Sequence, residues 1–155
     1  METKNNSIEA EAAMLIRKPV AEVFAAFINP DITTKFWFTK STGKLEVGNQ
    51  ITWTWEMYNL SSPVNVKEIE QDKRILIEWP YGDSSTRVEW IFTPKVNNTT
   101  FVSITHSGFT GDSDAIIKSA LGSTGGFTLV LAGLKALLEH NIQLNLVADR
   151  FPDGK

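Results

Sequence analysis

Hydrophobic and polar positions change rhythm along the chain, and the change of rhythm divides it into elements. Over residues 113–143, apolar side chains recur at intervals of three and four: Phe127, Val130, Leu131, Leu134, Leu137 and Leu138. That spacing gathers them into one stripe on a helix of about 3.6 residues per turn. Each large side chain gains about 1.5–3 kcal/mol on full burial, so the stripe needs a broad apolar partner. The glycines of GSTGG (122–126) predict a break or kink, with a helix over 113–121, looser geometry, then a longer helix to His140. Asn141 suits a left-handed C-cap.

The partner lies in the middle of the chain, where the period is two. Residues 51–58, ITWTWEMY, set Ile51, Trp53, Trp55 and Met57 against Thr52, Thr54, Glu56 and Tyr58. Residues 74–79 put Ile75, Ile77 and Trp79 on one face. Residues 86–94 do the same with Val88, Trp90 and Phe92, and 99–107 with Val102, Ile104 and His106. Residues 64–70 form a weaker strand whose phase change between Val66 and Ile69 predicts a bulge. Residues 60–63, 72–73, 81–85 and 97–98 read as turns, and 44–47 as a short strand. Earlier, 8–18 reads as a first strand. Pro19 leads into a helix over 20–28, carried by Val20, Val23, Phe24, Phe27 and Ile28 and stopped at Asn29 and Pro30. Residues 31–37 read as a second short helix anchored by Phe36 and Trp37. Residues 1–7 are a polar tail, while Ile142, Leu144, Leu146 and Val147 make the C-terminal tail apolar enough to pack back. Short turns between neighbouring strands predict an antiparallel meander covered on one face. The fold class is α+β: a curved sheet with two short helices, wrapped around a long C-terminal helix.

Composition narrows the function classes. The 155 residues suit one domain. A net charge of −3, with no basic run longer than Lys73 and Arg74, argues against a nucleic-acid surface. Without cysteine, and with two histidines, the chain offers no disulfide and no zinc-type ligand set. The polar start lacks the apolar core of a signal peptide, and Lys135 interrupts the best apolar run, so no membrane span and a cytoplasmic location are expected.

One strand, two short helices, six strands and a long helix is also the element order of the START-like helix-grip fold, shared with the birch-pollen-allergen-like (SRPBCC) proteins. Three stretches resemble one branch, the domain named after the activator of the heat-shock protein 90 ATPase: IRKPVAEVFAAFINPDITTKFW, ITHSGF and GGFTLVLAGLKALLEH. Gly125, Gly126 and Phe127 stand where that branch commonly opens its late helix with Gly-Gly-aromatic, phenylalanine replacing the commoner tryptophan. The resemblance covers roughly residues 9–140. It implies a cavity between sheet and helix of the kind that holds lipids, sterols or polyketides, and no cofactor. It also implies a chaperone ATPase as a partner, although full activators carry an additional N-terminal domain and this chain matches only the C-terminal type.

The candidate residues follow. Trp53, Trp55, Trp79 and Trp90 share a face, as the wall of a ligand cavity or as a filled core. With Ile104, His106, Phe127, Leu131 and Leu134 they make the expected ligand-binding set, and Phe24 and Trp37 close one end. On this reading Trp90→Ala weakens binding and spares the fold. His106 is either a polar anchor or base at the cavity mouth, or a histidine satisfied by a backbone carbonyl. His140 complements the helix dipole. Glu56, Glu78 and Glu89 fall on the polar face. GSTGG lacks the lysine and spacing of a phosphate loop and reads as a kink over the mouth, with 108–112 as a lid. Three functions are open. The first is non-enzymatic binding of a small hydrophobic or aromatic ligand. The second is a co-chaperone-like interaction module. The third is a cyclase- or dehydratase-like enzyme with His106 as base. A homodimer contact is also left open.

Overall fold

The computed structural model describes residues 8–81 and 84–154. The polar tail 1–7 and the centre of the expected turn at 81–85 lie outside them. Seven strands form one antiparallel sheet in the order β1-β7-β6-β5-β4-β3-β2. They are β1 Ala10–Ile16, β2 Lys40–Ser41, β3 Gln50–Trp55, β4 Leu60–Glu70, β5 Arg74–Tyr81, β6 Ser84–Lys95 and β7 Thr99–Ser107. Helices α1 (Val20–Ile28) and α2 (Pro30–Thr33) follow β1, α3 (Ser113–His140) follows β7, and α4 (Leu146–Arg150) closes the chain.

The period-two pattern places its residues as expected. Ile51, Trp53, Trp55, Ile75, Ile77, Val88, Trp90, Phe92, Val102, Ile104 and His106 are all buried on the face that α3 covers. The phase change in β4 is a register shift between Val66 and Glu68. On α3, Phe127, Val130, Leu131, Leu134 and Leu137 are buried, and Leu138 packs half-buried at the stripe's edge. Asn141 takes the left-handed C-cap (φ 55°).

Four local expectations are corrected. Residues 44–47 are not a strand: Leu45 alone turns inward, buried, with its N–H on the Ile28 carbonyl (3.2 Å), and β2 pairs with β3 at Lys40 and Ser41 instead. Residues 60–63 belong to β4, because a 3-10 turn over Glu56–Tyr58 and left-handed Asn59 (φ 50°) reverse the chain earlier. The second helix stops at Thr33, which lets Phe36, Trp37 and Phe38 turn into the core. Finally, α3 runs unbroken through the glycines. Glycine costs about 1 kcal/mol against alanine in a helix, less than one buried leucine of the stripe returns.

By length and composition α3 could also cross a membrane, but here its apolar stripe lies against the sheet. Two charged residues pin it to β1. The Lys135 ammonium donates to the Leu15 carbonyl (2.9 Å) and to Glu139 (2.7 Å), and Glu139 accepts the Arg17 N–H (2.8 Å). Burial works to raise the Glu139 carboxyl, but the bonds from Lys135 and Arg17 hold it below its ordinary value. Ile142 and Leu144 remain exposed, whereas Val147 packs on the core.

Candidate functional site

The sheet opens at one end. The β4–β5 ladder runs from Glu70 and Arg74 to Asn65 and Glu78 and stops. Continuing that register would oppose Pro63 and Pro80, neither of which has an N–H to give to a ladder. Beyond this point β4 pairs only with β3, and β5 only with β6. The Trp79 indole N–H crosses the gap to Ser62 Oγ (2.9 Å).

Two openings meet at the parted strands and share Trp37, Tyr58, Trp79 and Tyr81. One, of about 520 Å³, lies between the strands and adds Trp55, Leu60, Pro63 and Pro80. The other, of about 170 Å³, runs between the end of β5, the middle of α3 and α4, and adds Phe127, Val130, Val147 and Phe151. The larger falls within the roughly 300–1,000 Å³ of small-molecule sites. Gly122 and Gly126 are part of the α3 wall of the smaller opening. A Cβ on Gly126 would meet no atom within 4 Å, so there is free space at this part of the wall. The Tyr58 hydroxyl donates to the Val147 carbonyl and holds α4 at the rim. Arg150, also at the rim, stacks its guanidinium 4.4 Å from the Phe151 ring centre.

Of the residues expected to bind ligand, Trp37, Trp55, Trp79 and Phe127 line this cleft. Trp53, Trp90, Ile104, His106, Leu131, Leu134 and Phe24 line neither opening and are closed in the core. Trp53 stacks on Phe38 (4.6 Å between ring centres) and meets Trp37 (4.8 Å). Trp90 lies among Phe27, Trp37 and Phe127 at 5.8–6.1 Å. The interior between sheet and helix is therefore filled by these rings, and open space is left at the end where the strands part. Tyr58, Tyr81, Ser123, Val147, Arg150 and Phe151 were not legible as lining residues. Nor do residues 108–112 cover the cleft. Phe109 is buried against His106 (4.6 Å), and the Thr110 N–H is held by Ser84 Oγ (2.9 Å).

His106 is fully buried behind the cleft wall, not at its mouth. Two hydroxyls satisfy it, in place of the backbone carbonyl expected: Nδ1 lies 2.7 Å from Ser123 Oγ and Nε2 lies 2.7 Å from Thr86 Oγ1. Trp79 stacks on the ring, and Tyr81 meets it edge-on (5.2 Å). Burial lowers the imidazole pKa from 6.5 to about 4, so the ring is neutral at pH 7. Burial also raises the Tyr81 phenol, which stays protonated. A neutral imidazole with so low a pKa is a weak base, and the ring lines neither opening, so His106 is not the base at the cavity mouth that the sequence offers.

A seven-stranded antiparallel sheet gripping one long helix, with an aromatic cleft at its open end, defines a START-like helix-grip protein of the SRPBCC type. The sequence profile described as "Activator of Hsp90 ATPase homolog 1-like protein" matches residues 17–139, and the chain belongs to that family. Protein SSP2350 from Staphylococcus saprophyticus is 28% identical, with a TM-score of 0.72 over 88% of this chain and 96% of that one. The Aha1 dimer from Colwellia psychrerythraea is 19% identical, with a TM-score of 0.72 over 86% and 97%. PFC0360w, an HSP90 activator from Plasmodium falciparum, is 17% identical, with a TM-score of 0.66 over 85% and 96%. A search of curated proteins finds no match.

Proposed function

We propose that this chain binds a small apolar or aromatic molecule, without transforming it, in the cleft at the parted end of β4 and β5. The observation that carries this reading is the cleft's wall. Trp37, Trp55, Trp79, Tyr81 and Phe127 line space that remains free at Gly126, beside an interior that is otherwise packed. Aromatic faces give apolar contact with little side-chain entropy to lose, and the few polar groups fix orientation. The test is a tryptophan-fluorescence titration with 1-naphthol. Gly126→Leu puts a side chain into the cleft without a steric conflict at Cβ. It should weaken binding about tenfold or more while the melting temperature holds, the equivalent of at least about 1.4 kcal/mol. Unchanged affinity would contradict the site.

A second reading, an interaction module acting on a chaperone ATPase, draws on the family and on the HSP90 activator among the structural neighbours. Ile117 and Leu121 on α3 are exposed, at 43% and 69%, and suit a contact with a partner. Adding the protein to an Hsp90-type chaperone and following ATP hydrolysis decides it. A rate increase that Leu121→Glu removes supports the module, and an unaltered rate removes it.

A further inference from the structure

The hydrogen-bond chain behind the cleft fixes which way its protons point. The Thr86 hydroxyl donates to the Trp79 carbonyl, which can only accept. Thr86 has one proton, so toward His106 its oxygen is an acceptor, and Nε2 must carry the ring proton. The imidazole is neutral, so Nδ1 is then bare and accepts the Ser123 proton. Ser123 sits on the wall of the smaller opening with its only proton turned inward. Toward the cleft its oxygen can only accept. The opposite group comes from the end of β5, which faces α3 across the opening. Tyr81 also lines the cleft, its phenol has no hydrogen-bond partner among the described residues, and its oxygen would lie 3.4 Å from a Cβ on Gly122, the residue before Ser123. It keeps its proton and is free to donate. The two are a fixed acceptor and a donor lining one opening whose wall is mostly apolar, with Arg150 at its rim.

We infer that the ligand of this cleft carries a hydroxyl, as a phenol or an alcohol on an apolar body, which donates to Ser123 and accepts from Tyr81. This rests on the cleft being the binding site and adds the chemical class of its ligand. A hydroxyl is the smallest group that both donates and accepts, so it satisfies both members. An ether or hydrocarbon of the same shape leaves Ser123 facing it without a donor, and the loss of such a bond is what discriminates ligands of equal bulk. Thr86, through His106, is a positioning residue: it touches no ligand but decides the direction of the Ser123 proton.

The experiment compares 1-naphthol with 1-methoxynaphthalene by tryptophan-fluorescence titration, on the wild type and on Ser123→Ala and Thr86→Val. The wild type should prefer the naphthol about tenfold. Ser123→Ala should erase the preference by weakening naphthol alone. In Thr86→Val the Nε2 proton loses its acceptor, so the ring proton moves to Nδ1 and the Ser123 proton turns to the cleft. The preference should then shrink or reverse. The nitrogen spectrum of His106 provides an independent reading: Nε2 protonated and Nδ1 bare in the wild type, and the reverse in Thr86→Val. Equal binding of the two probes to the wild type would overturn the hydroxyl assignment and leave the cleft as the site. Binding of neither would overturn both. A wild-type preference that survives in Ser123→Ala, or a wild-type spectrum with Nδ1 protonated, would overturn the relay.

Discussion

Trp90→Ala will cost about 3–5 kcal/mol of folding stability and lower the melting temperature by about 10 °C. The indole is 1% exposed and wedged among Phe27, Trp37 and Phe127, with β6 behind it and α3 in front. Removing it leaves a cavity that the ring-filled interior cannot collapse to fill. Sequence alone made this substitution a probe of ligand binding that spares the fold; its burial makes it a probe of the fold. The Trp90 N–H is also buried with no partner among the described residues. Trp90→Phe keeps a ring and removes that unpaired donor, whose burial costs about 1–3 kcal/mol, so it should be far milder than the alanine. Trp79→Ala, half-buried on the cleft, should cost less stability than Trp90→Ala and weaken probe binding. Urea unfolding of the three variants checks the order. A Trp90→Ala protein within about 1 kcal/mol of wild type would mean that the interior is not filled as described.

Acidification from pH 7 to pH 4 will destabilise the protein through His106 by about 3 kcal/mol. Its folded pKa is depressed from 6.5 to about 4 by burial, with Trp79, Tyr81, Phe109 and Phe127 around the ring and two hydroxyls at its nitrogens. Between those two values the unfolded chain binds the proton and the folded one does not. The contribution is therefore complete above about pH 6.5, declines as the pH falls, and is gone below about pH 4. Glu139, held below its ordinary value, adds a loss at still lower pH. Unfolding free energies at pH 7, 5.5 and 4 test this in wild type and His106→Gln. The variant should be less stable at pH 7 and show a flatter profile over the window. An equally steep profile in the variant would move the effect to other groups.

The fold was legible because its two periodicities are clean. ITWTWEMY and the strands after it alternate without ambiguity, and the spacing from Phe127 to Leu138 admits only a helix. The errors fell where tertiary contacts outweighed local preference. The glycines of α3 predict a break because a helix is weak there in isolation. Ala120 is buried before the glycines, Ser123 among them and the stripe from Phe127 after them, so the helix continues, and Gly122 and Gly126 line the cleft. Of the cleft, Trp37, Trp55, Trp79 and Phe127 are legible in the sequence. Alternation shows which face a ring takes but not the depth at which it sits, so it does not separate Trp53 and Trp90 from them. Two signals for the rest were present. Pro63 and Pro80 would meet if the β4–β5 register continued, and the ladder ends short of them. His106 and Ser123 are polar positions on two otherwise apolar faces, and buried polar groups on facing elements must find each other. Arg150 and Phe151 carried no such signal, because a short terminal helix has no period from which to read its facing.

The measurement that tests the central claim most directly is an NMR titration that follows the indole N–H signals of the five tryptophans as 1-naphthol is added. Binding in the cleft predicts that Trp37, Trp55 and Trp79 move, with Trp79 largest because its N–H bridges the parted strands to Ser62, while Trp53 and Trp90 stay in place. Shifts led by Trp53 and Trp90, or none at all, would contradict a site at the open end of the sheet.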